Sequence, residues 1–152
     1  MKLSCMTALL VALVAVEYSA QQTSVPIATP SKIIVQLLNG KNGKPIKDER
    51  PNIWLGNAKD DILQWTDSKG EILLEEIDQA QPREIRVRGN FYVNCRQRGD
   101  QLAAINVRYS LDEIVSKGVV TENDCGKSHV DPIPGKLVLY LRPMTFKEKW
   151  AL

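Results

Sequence analysis

The sequence predicts a mainly β protein: an antiparallel β-sandwich with one short helix in a C-terminal extension. Three observations carry that expectation. Strand-length apolar runs recur along the chain with a period of two. Turn segments rich in Gly, Pro and Asn separate them. One segment alone combines a helical apolar stripe with residues suited to both helix ends. Many short strands with Gly- and Pro-rich turns argue for an antiparallel sandwich.

The N-terminus reads as an export signal. Lys2 supplies a positive start, and residues 6–16, "MTALLVALVAV", are apolar and uncharged. That run is too short for a bilayer span, which takes about 20 residues, and suits the apolar region of a signal peptide. The competing reading is a buried N-terminal strand or helix. Cleavage after Ala20 would leave Gln21 first, although Tyr18 is bulky where a small residue is preferred. Residues 1–20 are therefore expected to be a signal peptide, and the protein to be exported to the periplasm or beyond the cell. Residues 21–31 are polar, carry Pro26 and Pro30, and read as a flexible leader. What remains is about 130 residues, the size of one domain with a real core. Losing Lys2 and Glu17 leaves the net charge at +2. A surface so nearly balanced argues neither for nor against nucleic acid. Export argues against it. After cleavage Cys95 and Cys125 are left, and an even pair in an exported chain most simply forms a disulfide. The other reading is two separate buried thiols.

Residues 32–38, "KIIVQLL", form a β-branched run of strand length, and 39–45, "NGKNGKP", are dense in turn residues. Residues 52–55, "NIWL", put Ile53 and Leu55 on one face and Trp54 on the other. Residues 62–66, "ILQWT", and 71–76, "EILLEE", flank Asp67-Ser68-Lys69-Gly70, and the pair reads as a β-hairpin with Ile72 and Leu74 inward. Residues 83–89, "REIRVRG", alternate most cleanly, with Ile85 and Val87 in and Glu84, Arg86 and Arg88 out. Residues 91–93, "FYV", continue apolar. Residues 104–109 place Ile105, Val107 and Tyr109 on one side of a further strand. Residues 110–118, "SLDEIVSKG", are the expected helix. Ser110 and Glu113 make a capping-box pattern, and Gly118 stands where a helix C-terminus favours glycine. Leu111, Ile114 and Val115 form its apolar stripe. Residues 136–142, "KLVLYLR", form a last strand, stopped by Pro143.

This order of pieces resembles the carboxypeptidase regulatory-like, transthyretin-related β-sandwich domain. Asn42-Gly43-Lys44-Pro45-Ile46 matches its turn after the first strand, and Thr66, Asp67, Gly70, Ile72 and Leu74 match its later turn-and-strand motif. The likeness covers residues 32–93 and implies a transthyretin-like core there, with residues 94–152 as an extension packed on the same domain. Two features depart from it: "QAQPREIRV" keeps Pro82 but lacks the Gly and Tyr usual before the last strands, and the tail from Cys95 onward is additional. The matching residues mark turns and are silent on activity. The resemblance is to the accessory sandwich of such enzymes, without their catalytic domain. Some related domains close a Lys–Asn isopeptide bond. Lys32 could serve, but "KLVLYLR" offers no Asn or Asp.

Catalytic residues are scarce. His129 is the sole histidine, and no Gly-x-Ser-x-Gly elbow is present. Cys125, His129 and Asp131 carry zinc-ligating groups at a spacing that fits no common zinc pattern, and they define the alternative reading of a hydrolytic or metal-dependent enzyme. Asp60, Asp61 and Asp67 lack the register of a calcium loop. No metal or cofactor is expected. The leading expectation is a non-catalytic binding module. Arg83, Arg86, Arg88, Arg96 and Arg98 fall within sixteen residues, opposed by Glu84 alone. Arg86 and Arg88 share a strand face. With Phe91 and Tyr92 they are the candidate contact for an acidic glycan, a lipid head group or an acidic protein surface.

Overall fold

The computed structural model describes residues 32–75, 77, 83–96 and 107–150. The expected signal peptide and leader, Arg98 and Ile105 lie outside the described residues. Those described form nine strands and two helices in the order β1 (Lys32–Asn39), β2 (Asn52–Leu55), β3 (Ile62–Leu63), β4 (Glu71–Glu75), β5 (Glu84–Arg88), β6 (Tyr92–Asn94), β7 (Arg108–Ser110), α1 (Leu111–Lys117), β8 (Val119–Val120), β9 (Lys136–Pro143) and α2 (Phe146–Trp150). The chain is mainly β, as the alternation of its apolar residues implies. The first sheet has the order β4-β1-β9-β6, with β8 also paired to β9, and the second has the order β3-β2-β5-β7.

Three features depart from the sequence-based expectation. First, the strands are not all antiparallel. β1 runs parallel to β9 from Ile34 to Asn39, and β8 runs parallel to β9 at Leu137 and Val138. Parallel neighbours need a long crossover, and every strand of the second sheet lies between β1 and β9 in the chain. Second, the runs around residues 67–70 are not a hairpin. β3 pairs with β2 in the second sheet, and β4 pairs with β1 in the first. The turn is a corner between sheets. Asp67 closes it by itself: its Oδ1 accepts from the backbone N–H of Lys69 and of Glu71, both at 2.8 Å. The Glu71 N–H, more than any other group, holds the Asp67 carboxyl below its usual range. Third, a second helix, α2, follows β9.

One apolar cluster draws on both sheets. Ile33, Val35 and Leu37 of β1, Ile72 and Leu74 of β4, and Leu137, Leu139 and Leu141 of β9 meet Ile53 of β2, Ile85 and Val87 of β5, and Tyr109 of β7. Full burial of each aliphatic side chain contributes about 1.5–3 kcal/mol before conformational entropy is counted. The segment expected as an extension therefore supplies the central strand β9 and the edge strand β7. Burial pushes the Tyr109 hydroxyl up to about 12, and Asn94 Nδ2 donates to it at 3.4 Å. Helix α1 adds Leu111 and Ile114 to the cluster. Its caps follow the sequence: the Ser110 side chain accepts from the Glu113 N–H, and the N–H of Gly118 (φ 78°) donates to the Ile114 carbonyl.

The opposite side of the first sheet is covered too. Leu38, Val138, Tyr140 and Cys95 form a second buried cluster, against which Val120, Cys125 and Val130 pack. Cys95 and Cys125 are bridged, with Cα atoms 5.3 Å apart. The bridge pins the 121–130 loop over the sheet. Asn123 Nδ2 assists by donating to the carbonyls of Gly40 and Ser128, each at 2.9 Å.

Helix α2 is fixed by one charged contact. Arg142 donates to both carboxylate oxygens of Glu148, at 2.8 and 2.6 Å, and the Thr145 N–H donates to the same carboxylate at 2.6 Å. The Glu148 N–H donates back to Thr145 Oγ1 at 3.4 Å, which completes a capping box. Arg142, foremost, lowers the Glu148 carboxyl from 4.5 to about 2. A group depressed on folding stabilises fully above its unfolded pKa, and that contribution fades as pH falls through the folded value. The shift corresponds to about 3 kcal/mol, and screening at the third of Arg142 left in water brings it nearer about 2 kcal/mol. Glu148→Gln is expected to lower stability by about 2 kcal/mol at pH 7, with the gap to the wild type shrinking between pH 4.5 and pH 2. Urea unfolding at several pH values checks this; a gap that persisted at pH 2 would contradict it.

Candidate binding face

The outward side of the second sheet is set by its register. Asn52 of β2 lies between Leu63 of β3 and Arg88 of β5. In the next row Trp54, Arg86 and Arg108 stand side by side on β2, β5 and β7. Glu84 and Ser110 make the third row. Each strand turns its alternate residues, Ile53, Ile85, Val87 and Tyr109, to the core, so this face is a direct result of period-two patterning.

The middle row is unusual electrostatically. Arg86 and Arg108 are direct cross-strand neighbours, and like charges directly opposite one another destabilise a sheet. Two contacts ease the repulsion. Arg108 Nη1 donates to Glu84 Oε2 at 3.0 Å. The Arg86 guanidinium lies over the Trp54 ring, 5.2 Å from its centroid. Arg86 Nε is covered and makes no hydrogen bond among the described residues. At the rim Asn52 donates to Asp61. Arg88, half-buried, forms no ion pair among the described residues. The face thus holds three arginines, and among the described residues only Arg108 has a carboxylate partner.

The four residues singled out in the sequence do not share one surface. Arg86 and Arg88 do, as alternation on β5 requires. Tyr92 is on β6 in the other sheet. It is the register neighbour of Pro143, and Asn94, on the same side of β6, faces Leu141 and the core. Its ring packs against the main cluster. Phe91 lies beside α2, with Lys149 Nζ 5.6 Å from its ring. Among the other arginines, Arg83 pairs with Asp112 and Arg96 with Glu122. Arg108, three residues after Ile105 on the strand pattern, was not among the expected contacts. Only the β5–β7 register brings it next to Arg86.

Of the residues of the alternative reading, His129 and Asp131 lie together at the surface, and Cys125 is engaged elsewhere. The Cys125 sulfur is in the disulfide. His129 Nε2 is 3.8 Å from Asp131 Oδ1, and both side chains are largely in water. Lys32, the isopeptide candidate, pairs with Glu75 at the exposed start of β1. Among the described residues no three His, Cys, Asp or Glu side chains converge as a metal-binding set. A pocket of about 410 Å3 lies beside the disulfide, lined by Asn39, Lys41, Asn94, Asp124, Arg142 and neighbours. Arg142, its strongest cation, is already held by Glu148. No helix among the described residues is long and apolar enough to cross a membrane.

The chain matches no protein-family model, no curated protein and no solved structure.

Proposed function

We propose that this protein is an exported, non-catalytic β-sandwich of the carboxypeptidase regulatory-like, transthyretin-related type, and that it binds an anionic partner on the outward face of the second sheet. The observation that carries the binding reading is the opposed pair Arg86 and Arg108, with Arg88 beside them. An anion lying across β5 and β7 would relieve the repulsion that the free face bears. Trp54 in the same row holds the Arg86 guanidinium against its ring, so that charge is set on the outward face, where an acidic glycan could meet it.

The sandwich reading is supported by the apolar cluster built from both sheets. Family kinship is supported by the behaviour of its turn residues. Gly43 and Gly70 have φ of 69° and 71°, Pro45 bridges to Leu38, and Asp67 caps the corner. Export is supported by the disulfide, which suits an oxidising compartment. Against the enzyme alternative stand the bridge, which holds the Cys125 sulfur, and the exposure of Asp131, the acid beside His129.

Chromatography on immobilised dextran sulfate tests the proposal. The wild type should be retained, and the Arg86→Ser/Arg88→Ser protein should bind about tenfold more weakly, with roughly half of that free-energy loss per arginine. Binding should fall with salt, since screening limits exposed charges to about 8 Å at physiological strength. His129→Ala should behave as wild type. Equal retention of the folded arginine double variant would refute the proposal, as would hydrolysis of an ester or peptide substrate that disappeared in His129→Ala.

A further inference from the structure

The two most exposed large apolar side chains of the described residues are on α2. Phe146 is 76% and Trp150 78% exposed, and Phe91 nearby is 61% exposed. Phe146 and Trp150 are four residues apart on one helix face, and their rings meet at 5.8 Å. The chain links Phe91 to this site through its carbonyl, which accepts from the Met144 N–H at 2.8 Å. Singly exposed aromatics need no explanation, but a cluster of this kind does.

The exposed charges on α2 itself are of one sign, and one acid, Glu49, lies by Phe91, where its Oε1 accepts from the Asn90 N–H at 3.1 Å. Lys147 and Lys149 are exposed on α2, and Lys149 Nζ reaches over the Phe91 ring. The only acid on the helix, Glu148, is buried and neutralised by Arg142. The support is also rigid. The bidentate Arg142–Glu148 contact and the Thr145 cap hold a helix of five residues that could not persist alone. The fold thus presents bulky aromatic rings to water on a fixed platform and neutralises the one acid that α2 carries.

We infer that the Phe91, Phe146 and Trp150 cluster is a contact for an anionic lipid surface, with the rings entering the headgroup layer and Lys147 and Lys149 pairing with lipid phosphates. Aromatic rings, tryptophan above all, favour the membrane–water boundary. Lysines on a flexible stem can hold their ammonium groups at phosphate level while the rings go deeper. The contact would be peripheral and reversible, since α2 is far too short to span a bilayer. Its residues are distinct from those of the proposed glycan face, whose Arg86 and Arg88 are on β5 of the second sheet.

Sedimentation of the purified protein with sucrose-loaded vesicles tests it, using phosphatidylcholine alone and phosphatidylcholine with about one third phosphatidylglycerol, a content that makes the surface clearly anionic. The wild type should sediment with the anionic vesicles and blue-shift its tryptophan emission, and Trp150→Phe should lose that shift. Phe146→Ser/Trp150→Ser should partition at least tenfold less, about the effect of withdrawing two large apolar groups. Lys147→Gln/Lys149→Gln, altered only at exposed positions, should lose about fivefold per charge on anionic vesicles and nothing on neutral ones. Arg86→Ser/Arg88→Ser should sediment as wild type. Unchanged sedimentation of the lysine variant, or equal binding to neutral and anionic vesicles, would overturn the inference. So would burial of Trp150 in a lipid-free dimer, which would assign the cluster to a second copy of the chain.

Discussion

Removing the Cys95–Cys125 bridge, by reduction or by Cys95→Ser/Cys125→Ser, is expected to lower the unfolding free energy by about 3–4 kcal/mol. The bridge closes a separation of 30 residues, and closure of such a loop limits the unfolded chain by about that amount in the entropy model. The native state also loses a staple. Cys95 follows β6 directly, and Cys125 sits in the loop that covers Leu38, Val138 and Tyr140. Packing around the bridge is close: a Cβ at Gly40 would run into the Cys95 sulfur and come within 2.6 Å of Asn123 Oδ1. Urea unfolding with and without reductant gives the difference directly. Coincident transitions would show that the bridge carries no stability and that the loop is held by Asn123 and the apolar contacts alone.

Gly70→Ala should be as damaging, by about 3 kcal/mol, from three effects acting together. A left-handed backbone costs a residue with a Cβ about 1–2 kcal/mol. At Gly70 that Cβ would also stand 2.6 Å from the Leu37 carbonyl oxygen and 3.1 Å from the Ile46 nitrogen. Both are backbone atoms, held by Leu37 N–H to the Gly70 carbonyl at 2.8 Å and Ile46 N–H to the Leu37 carbonyl at 2.9 Å. Relief therefore means opening at least one of these hydrogen bonds, at about 1 kcal/mol. Gly135→Ala is the internal control. Its φ is 81°, yet nothing lies within 4 Å of the added Cβ. It should cost only the backbone term of about 1–2 kcal/mol. Equal losses in the two variants, measured by urea unfolding, would mean that the corner between the sheets is not as close as described.

Much of the fold is readable from alternation, and the rest is not, for identifiable reasons. Period-two patterning locates β1, β2, β5 and β9 and orients their faces, because burial on one side is a local property of the strand. It says nothing about partners. Asp67 and Gly70 close the same tight corner whether the arms pair with each other or leave for different sheets, so the apparent hairpin and the actual corner look alike in sequence. β8 is two residues long and is defined only by β9 beside it. Helix α2 had a legible signal, the capping box Thr145-Phe146-Lys147-Glu148 just after Pro143. What conceals it is its pattern: the outward residues are aromatic and the buried one is a glutamate, the reverse of an ordinary amphipathic helix. Glu148 can be buried only because Arg142, six residues back, meets it.

The candidate face shows the same limit. Arg86 and Arg88 are legible as a pair because they are two residues apart on one strand. Arg108 joins them through a register that no local pattern encodes, and Tyr92 leaves them because β6 belongs to the other sheet. A density of arginines in sequence is therefore a poor guide to a basic surface. Of those around β5, Arg83 and Arg96 are paired with acids elsewhere.

The most direct measurement is a nuclear magnetic resonance titration of the 15N-labelled protein with a sulfated oligosaccharide. Saturable shifts should fall on the Trp54 indole N–H and on the side-chain signals of Arg86, Arg88 and Arg108, which share the outward face of the second sheet. The His129 loop should stay unmoved. Shifts confined to the 123–131 loop, or none at all on the arginine row at saturating ligand, would contradict the assignment of that face as the binding site.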